Sequence, residues 1–232
     1  MKRFYKAVEV IGGADGYSLT LDGRPVKTPM RVPLTVPFAA LAEAIADEWR
    51  GQGEQIDPAS MPLTGLANAA IDRVLPDPAG FAAGLCPYAD SDVLLYRAAE
   101  PDDLAQRQLS VWNPILDWAE RHYGVEFTPV VGIVHRSQPL ATLAKLAAAL
   151  GALDGYRLVA MQPLVTITGS LVIALALEQG ALSDDSAWAA SELDELYQVE
   201  HWGEDDLAKQ ARQHRRDAFT AALRFLRLLC PN

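Results

Sequence analysis

Glu192 and Glu195 are the side chains of this sequence whose type and spacing come nearest to a catalytic pair. They stand in Ser183–Asp206, a segment with nine acidic residues and no Lys or Arg. Three residues apart on a helix, they share a face, and two carboxylates can divide the roles of general acid and base. A small hydrolase on this pair needs a further acid from another element to converge with them in a cleft. His201 with Glu204 and Asp205 has metal-ligand chemistry, but no second histidine stands at i+3 or i+4, which favours a solvated or capping histidine. Cys86, before Pro87 and Tyr88, reads as a buried structural thiol rather than a nucleophile. Thr168-Gly169-Ser170 reads as a helix start, with amides offered to an anion as the alternative. Gly12–Gly16 has the glycines of a phosphate loop but lies between strand-like segments, so a hairpin loop is expected. G-x-S-x-G, the P-loop and H-E-x-x-H are absent from the sequence.

The acidic segment also carries Trp188, Leu193, Leu196, Tyr197, Val199 and Trp202. At 100° per residue these divide into two sets. Leu193, Leu196 and Tyr197 share a face with Ala189 and Ala190. Trp188, Val199 and Trp202 fall on another, with Glu195 within about 20° of both tryptophans on an ideal wheel. A helix with two apolar faces must meet two neighbours, its own core and either more of this chain or a partner.

These side chains hang on a scaffold that reads as α+β. Phe4–Val10 and Tyr17–Leu21 have strand patterning, Asp22-Gly23 is a hairpin-turn signal, and Leu34–Val36 adds a short strand. From Pro37 the period is helical: Phe38, Leu41, Ile45 and Trp49 form a stripe that Gly51 and Gly53 end. Further helices are expected around 66–74, 79–86 and 90–97. Another starts at Pro101, with Pro114 kinking or restarting it and Asn113 as its N-cap. Residues 124–139 look extended, and Leu140–Leu150 looks helical. A buried helix follows around 158–179, then the acidic helix. A last helix over Asp205–Leu229 turns Leu207, Ala211, Ala218, Ala222, Phe225 and Leu229 to the core. The expected organisation is a small antiparallel β domain over 1–36 and a mainly helical domain over 37–232.

Composition narrows the function classes. The net charge of −10 argues against general nucleic-acid binding. The charge is uneven: residues 1–31 carry a net +3, residues 183–208 a net −9 and residues 209–227 a net +5. The acidic and basic blocks either pair with each other as solvated faces or leave an acidic patch for a basic partner. The longest apolar run, Leu164–Leu177, is 14 residues, short of the roughly 20 that span a bilayer, so no membrane insertion is expected. No signal-peptide pattern precedes Phe4. Two cysteines, Cys86 and Cys230, in no metal spacing, fit a reduced compartment.

Taken in order, a set of phrases resembles one family. They are Arg3-Phe4-Tyr5-Lys6, Leu21-Asp22-Gly23-Arg24-Pro25 with Lys27-Thr28-Pro29, Ile45-Ala46-Asp47-Glu48-Trp49 with Gln52, Met61-Pro62-Leu63-Thr64 and Ala70-Ile71-Asp72-Arg73. Trp112-Asn113-Pro114 with Asp117-Trp118, Thr168-Gly169-Ser170, Leu193-Asp194-Glu195 with Gln198, Trp202-Gly203 and Asp205 complete the set. The set spans nearly the whole chain and resembles the assembly chaperones, mitochondrial and alphaproteobacterial, of the F1 ATP synthase alpha subunit. Two positions depart from that pattern: Asn113 where Asp is expected, and Gly65 where a basic residue is expected. The resemblance implies a non-catalytic protein that transiently binds the unassembled alpha subunit, shields its subunit interface and releases it during assembly. It implies no cofactor, metal or small-molecule substrate. The partner-binding residues it implies are Glu195 first, then Glu192, Trp188, Gln198, Trp202 and Asp205, with Trp49 as structural support. A start at the Arg3 phrase, without an import extension, fits a bacterial cytoplasmic member, the mitochondrial relatives working in the matrix. A permanent subunit of some complex is a third reading.

Overall fold

The structure, a computed structural model, describes residues 1–229; Cys230 lies outside them. The architecture is α+β. A small antiparallel sheet comes first, built from β1 (Val8–Gly13), β2 (Gly16–Leu21), β3 (Arg24–Pro25) and β4 (Thr35–Val36). β2 pairs with all three others, Val8 facing Leu21 and Tyr17 facing Val36. The β2–β3 turn has φ of 49° at Asp22 and 76° at Gly23, both positive as a two-residue hairpin turn requires. The Asp22 carboxylate also accepts from the backbone N–H groups of Lys6 and Ala7, at 3.1 and 2.8 Å. Residues 4–7, expected as strand, are therefore fastened by a side chain, and the ladder starts at Val8.

The chain forms two compact units. One holds Met1–Pro78, Asp154–Ala160 and the stretch from Ala221; the other holds Ala79–Leu153 and Met161–Thr220. The change from β to α at 36/37 is thus not where the units divide. Helix α1 (Ala39–Arg50) buries Leu41 and Ile45 against β1, β2 and β4. Tyr5 Oη donates to the Trp49 carbonyl at 2.7 Å and Tyr156 Oη to the Thr35 carbonyl at 2.8 Å, so helical residues complete the sheet's unit. Trp49, at the end of the predicted stripe, is half-buried and meets the Tyr5 ring edge-on. Helix α2 (Pro62–Ala69) runs on into a π-type turn, Ala70–Val74. Its first amides donate to Glu48, Leu63 N and Thr64 N each at 2.8 Å.

The second unit is almost all helix: α3 (Pro78–Leu85), α4 (Pro87–Asp90), α5 (Asp102–Tyr123), α6 (Leu140–Gly151), most of α7 (Gly155–Thr168), then α8 (Leu171–Glu178), α9 (Asp184–Ser191), α10 (Leu193–Trp202) and the first half of α11 (Asp206–Arg227). Two short strands, β5 (Tyr96–Arg97) and β6 (Val130–Val131), pair in parallel. Helix α5 is continuous through Pro114, and Asn113 is not an N-cap: its Oδ1 accepts from the Arg97 guanidinium at 2.9 Å. Trp112, Leu116 and Ala119 are buried along one side of α5.

Helix α8 is buried along its length, and Ser170 caps its start, accepting from Ile173 N at 2.9 Å. Behind that cap lies Asp92, wholly shut from solvent. Its carboxylate accepts from Ser170 Oγ at 2.8 Å, Val172 N at 3.0 Å and Leu94 N at 3.1 Å. An anion at a helix N-terminus is well placed, yet burial pushes the carboxyl up to about 6 against those donors.

Candidate functional site

The acidic segment is not one helix. Ser183 caps α9 by accepting from Ser186 N, and the helix stops at Glu192, whose φ of −97° and ψ of 9° leave the helical region. Helix α10 starts at Leu193 and runs to Trp202. Gly203 then takes φ 80° and ψ 177°, a conformation essentially confined to glycine. Asp205 accepts from Ala208 N at 2.8 Å and so starts α11. Since α9 and α10 are separate, Trp188 does not share a face with Trp202, and the single two-faced helix is corrected to two short ones joined at a buried glutamate.

The residue at which α9 ends, Glu192, is internal. Its side chain is 4% exposed and pairs with Arg215 of α11 at 2.9 Å. The same guanidinium nitrogen bonds Glu195 at 2.6 Å, and the Glu195 side chain is 41% exposed. One arginine therefore joins an internal carboxylate to a surface one. The neighbouring turns repeat the arrangement: Arg216 pairs with Asp185 at 2.6 Å and lies 4.9 Å over the Trp188 ring, and Arg212 bonds Glu204. From α5, Arg107 meets Glu200 at 2.6 Å, and Gln108 Nε2 donates to Asp194 at 2.8 Å. The acidic and basic blocks of the sequence thus pair with each other, as the plainer of the two charge readings expects.

Burial raises the Glu192 carboxyl, while Arg215 pulls the other way. A raised carboxyl beside a second carboxylate is what a general acid shows, but here one guanidinium nitrogen of Arg215 bonds the Oε2 of both, tying the pair to a fixed counter-charge. His201 turns Nδ1 to the Tyr197 carbonyl at 2.8 Å and stacks on the Tyr197 ring, the capping alternative rather than a ligand.

The six residues expected to bind a partner fall into two groups. Glu192 is internal, and Trp188 is half-buried against Phe219, ring centres 5.4 Å apart. Gln198, Trp202 and Asp205 are exposed and Glu195 is partly so. Trp202 is 77% exposed, and across the Gly203 turn Leu207 is 78% exposed, where the sequence pattern had turned it to the core. Ala211 and Ala218 are exposed as well; the buried band of α11 starts at Phe219. Arg215 and Arg107 were not singled out by sequence, and only the charge of the 209–227 block pointed towards the first.

This arrangement has counterparts. The sequence model of the ATP12 chaperone protein family matches residues 2–120. A crystal structure of Atp12 from Paracoccus denitrificans superposes with a TM-score of 0.94 at 38% identity, covering 99% of this chain and 98% of that one. The chain belongs to the ATP12 chaperone family. Among further ATP12-like relatives, an Agrobacterium tumefaciens protein described as a candidate chaperone matches with a TM-score of 0.94 at 39% identity, covering 99% of this chain and 86% of that one. The mitochondrial protein atp12 of Schizosaccharomyces pombe is 26% identical over 216 residues, 87% of this chain and 74% of that protein. The ATP12 family model ends at residue 120, inside α5, so the acidic helices of this chain are matched by the two crystal structures, each covering 99% of it, rather than by the family model. Among the described residues of this ATP12-family chain, no helix is long and apolar enough to cross a membrane.

Proposed function

We propose that this ATP synthase assembly chaperone binds the unassembled alpha subunit of F1, covers the surface that later meets its neighbour and leaves when the neighbour arrives. An orphan ring subunit exposes an interface that aggregates if left bare. A stand-in needs an apolar anchor set among charges, and binding weaker than the true neighbour's. The observation that carries this reading is Trp202: a large aromatic, more than three-quarters exposed, at the end of an acidic helix, with an equally exposed Leu207 five residues on. The ring tilts against that of the exposed His201, centroids 5.8 Å apart, and an aromatic left this far in solvent is the kind of side chain that anchors protein interfaces.

In this reading Glu195, Gln198, Trp202 and Asp205 touch the alpha subunit. Glu192 and Trp188 hold the helices that present them, and Trp49 supports the other unit. The work is binding rather than catalysis, and we assign it to the bacterial cytoplasm, in keeping with the similar bacterial proteins. The test is size-exclusion chromatography after co-expression with the F1 alpha subunit alone and, separately, with the beta subunit alone. A soluble complex with alpha only is expected. A complex with beta only, or with neither, overturns the reading.

A further inference from the structure

The unit that contains the sheet holds an open groove. Two cavities, of about 460 and 550 Å³, share Pro29, Gly65 and Asn68 as common wall residues. One wall is the loop Thr28–Val32, fastened by Asp72, which accepts from Thr28 Oγ1 at 2.6 Å and Met30 N at 3.1 Å. The other is α2, clamped to α1 through Glu48. Both walls are thus held before anything enters, which lowers the ordering cost of binding.

Three features of the groove have no use within this unit. The indole Nε1 of Trp49 and the Oδ1 of Asn68 belong to lining residues, are shut from solvent, and have no hydrogen-bond partner. Buried polar atoms are nearly always paired, so a donor and an acceptor left open at one site call for an explanation. Met30, on the rim, is 71% exposed. Lys27 and Arg73, one from each cavity, are exposed and make no ion pair among the described residues. The groove offers apolar surface at Pro29, Met30 and Ile56, and of its charged side chains Lys27 and Arg73 outnumber Asp72, whose carboxylate is already bonded to the Thr28–Val32 loop.

We propose that the groove is a second client-binding site, taking an extended segment of the alpha subunit in which an acidic residue stands beside a bulky apolar one. This rests on the alpha-subunit reading above. The apolar side chain lies on the groove's Pro29, Met30 and Ile56 surface, and the carboxylate meets Lys27 and Arg73. A peptide group brings both an acceptor for the Trp49 N–H and a donor for the Asn68 carbonyl, the two polar groups of the lining residues left open. The charge pattern is opposite to that of the α10 edge, so the two sites select different stretches of one client.

A photo-crosslinking residue tests this at Gly65, where an added Cβ meets nothing within 4 Å. The full chain with p-benzoylphenylalanine at 65 is co-expressed with the alpha subunit, irradiated, and the adduct mapped by mass spectrometry. The Lys27→Glu/Arg73→Glu double variant is compared with wild type for alpha-subunit retention, with a thermal melt to show that it folds. The expected result is one adduct on an acidic–apolar alpha segment and at least a tenfold loss of retention in the double variant. If wild type retains the alpha subunit while residue 65 yields no adduct and the double variant retains as much as wild type, the groove proposal falls and the alpha-subunit reading stands. If wild type retains none, both fall.

Discussion

Asp92 and Glu192 are both carboxylates taken out of water in the helical unit, and the fold answers the cost of burying them in different ways. Asp92 is held by neutral donors, the Ser170 hydroxyl, an amide at the start of α8 and the amide of Leu94 in its own turn. Glu192 is held by a full positive charge, the Arg215 guanidinium, which at the same time grips the exposed Glu195. Removing a charge from the first site is a matter of architecture alone. Disturbing the second reaches the surface that we assign to the client. Buried ion pairs add little net stability but leave a costly orphan when one partner is removed, so the Glu192–Arg215–Glu195 group ties the shape of the α10 edge to its charge.

The largest effect is expected from Asp92→Ala, which orphans several buried donors at once. A loss of about 3–5 kcal/mol in chemical denaturation is expected, with Asp92→Asn milder because one acceptor remains. Equal stability of the alanine variant and wild type would make Asp92 an idle buried acid. Titration sharpens the same contrast. The Asp92 carboxyl lies near 6 in the folded chain against an ordinary value of 3.8. The folded state therefore binds the extra proton between those values. Its contribution to stability is fully present below about pH 4 and is lost as pH rises through 6, a swing of about 3 kcal/mol. Wild type should gain on Asp92→Asn as pH falls from 7 to 5, measured by paired denaturant melts; a flat difference contradicts the raised carboxyl.

A smaller loss belongs to Arg215→Met. Glu192 is then buried without a counter-charge, but the arginine side chain is about a third exposed, so about 2 kcal/mol is expected rather than the larger loss of a fully internal pair. Adding Glu192→Gln should restore part of it, and a double-mutant cycle reads the coupling directly. The smallest stability effect is expected from Trp202→Ala, within about 0.5 kcal/mol because the ring is mostly solvated. The same variant should lose more than tenfold in alpha-subunit affinity by titration. A large stability loss with unchanged affinity would exchange the roles assigned to the two regions.

Local signals in the sequence were enough for some of this. The Asp22-Gly23 turn and the Leu41 and Ile45 part of the stripe need only neighbours within one element, and both appear where the pattern puts them, whereas Phe38 precedes α1 in extended backbone and is half-buried. Thr168-Gly169-Ser170 reads as a helix start and is one. Nothing local announces that Asp92 stands behind it, since Ser170 is 78 residues away along the chain. The break at Glu192 has no Gly or Pro to mark it, and the residue that holds the glutamate inside, Arg215, is 23 residues on. For the same reason a helical wheel joined Trp188 to Trp202, and the structure separates them. Leu207 misled in the opposite sense, since its spacing fits a core band that begins only at Phe219. The boundary at 36/37 followed secondary structure, whereas the compact unit follows what α1 packs upon.

The account stands most directly on the exposed half of the α10 edge. Its sharpest test is the affinity of Glu195→Lys for the isolated F1 alpha subunit, measured by calorimetric titration beside wild type, with a thermal melt of each. Because Glu195 is partly solvated while Glu192 keeps its own bond to Arg215, the account predicts a melting temperature near that of wild type and alpha-subunit binding reduced at least tenfold. A variant that melts normally and binds the alpha subunit as tightly as wild type would contradict it, and one that unfolds would make Glu195 part of the scaffold instead of the site.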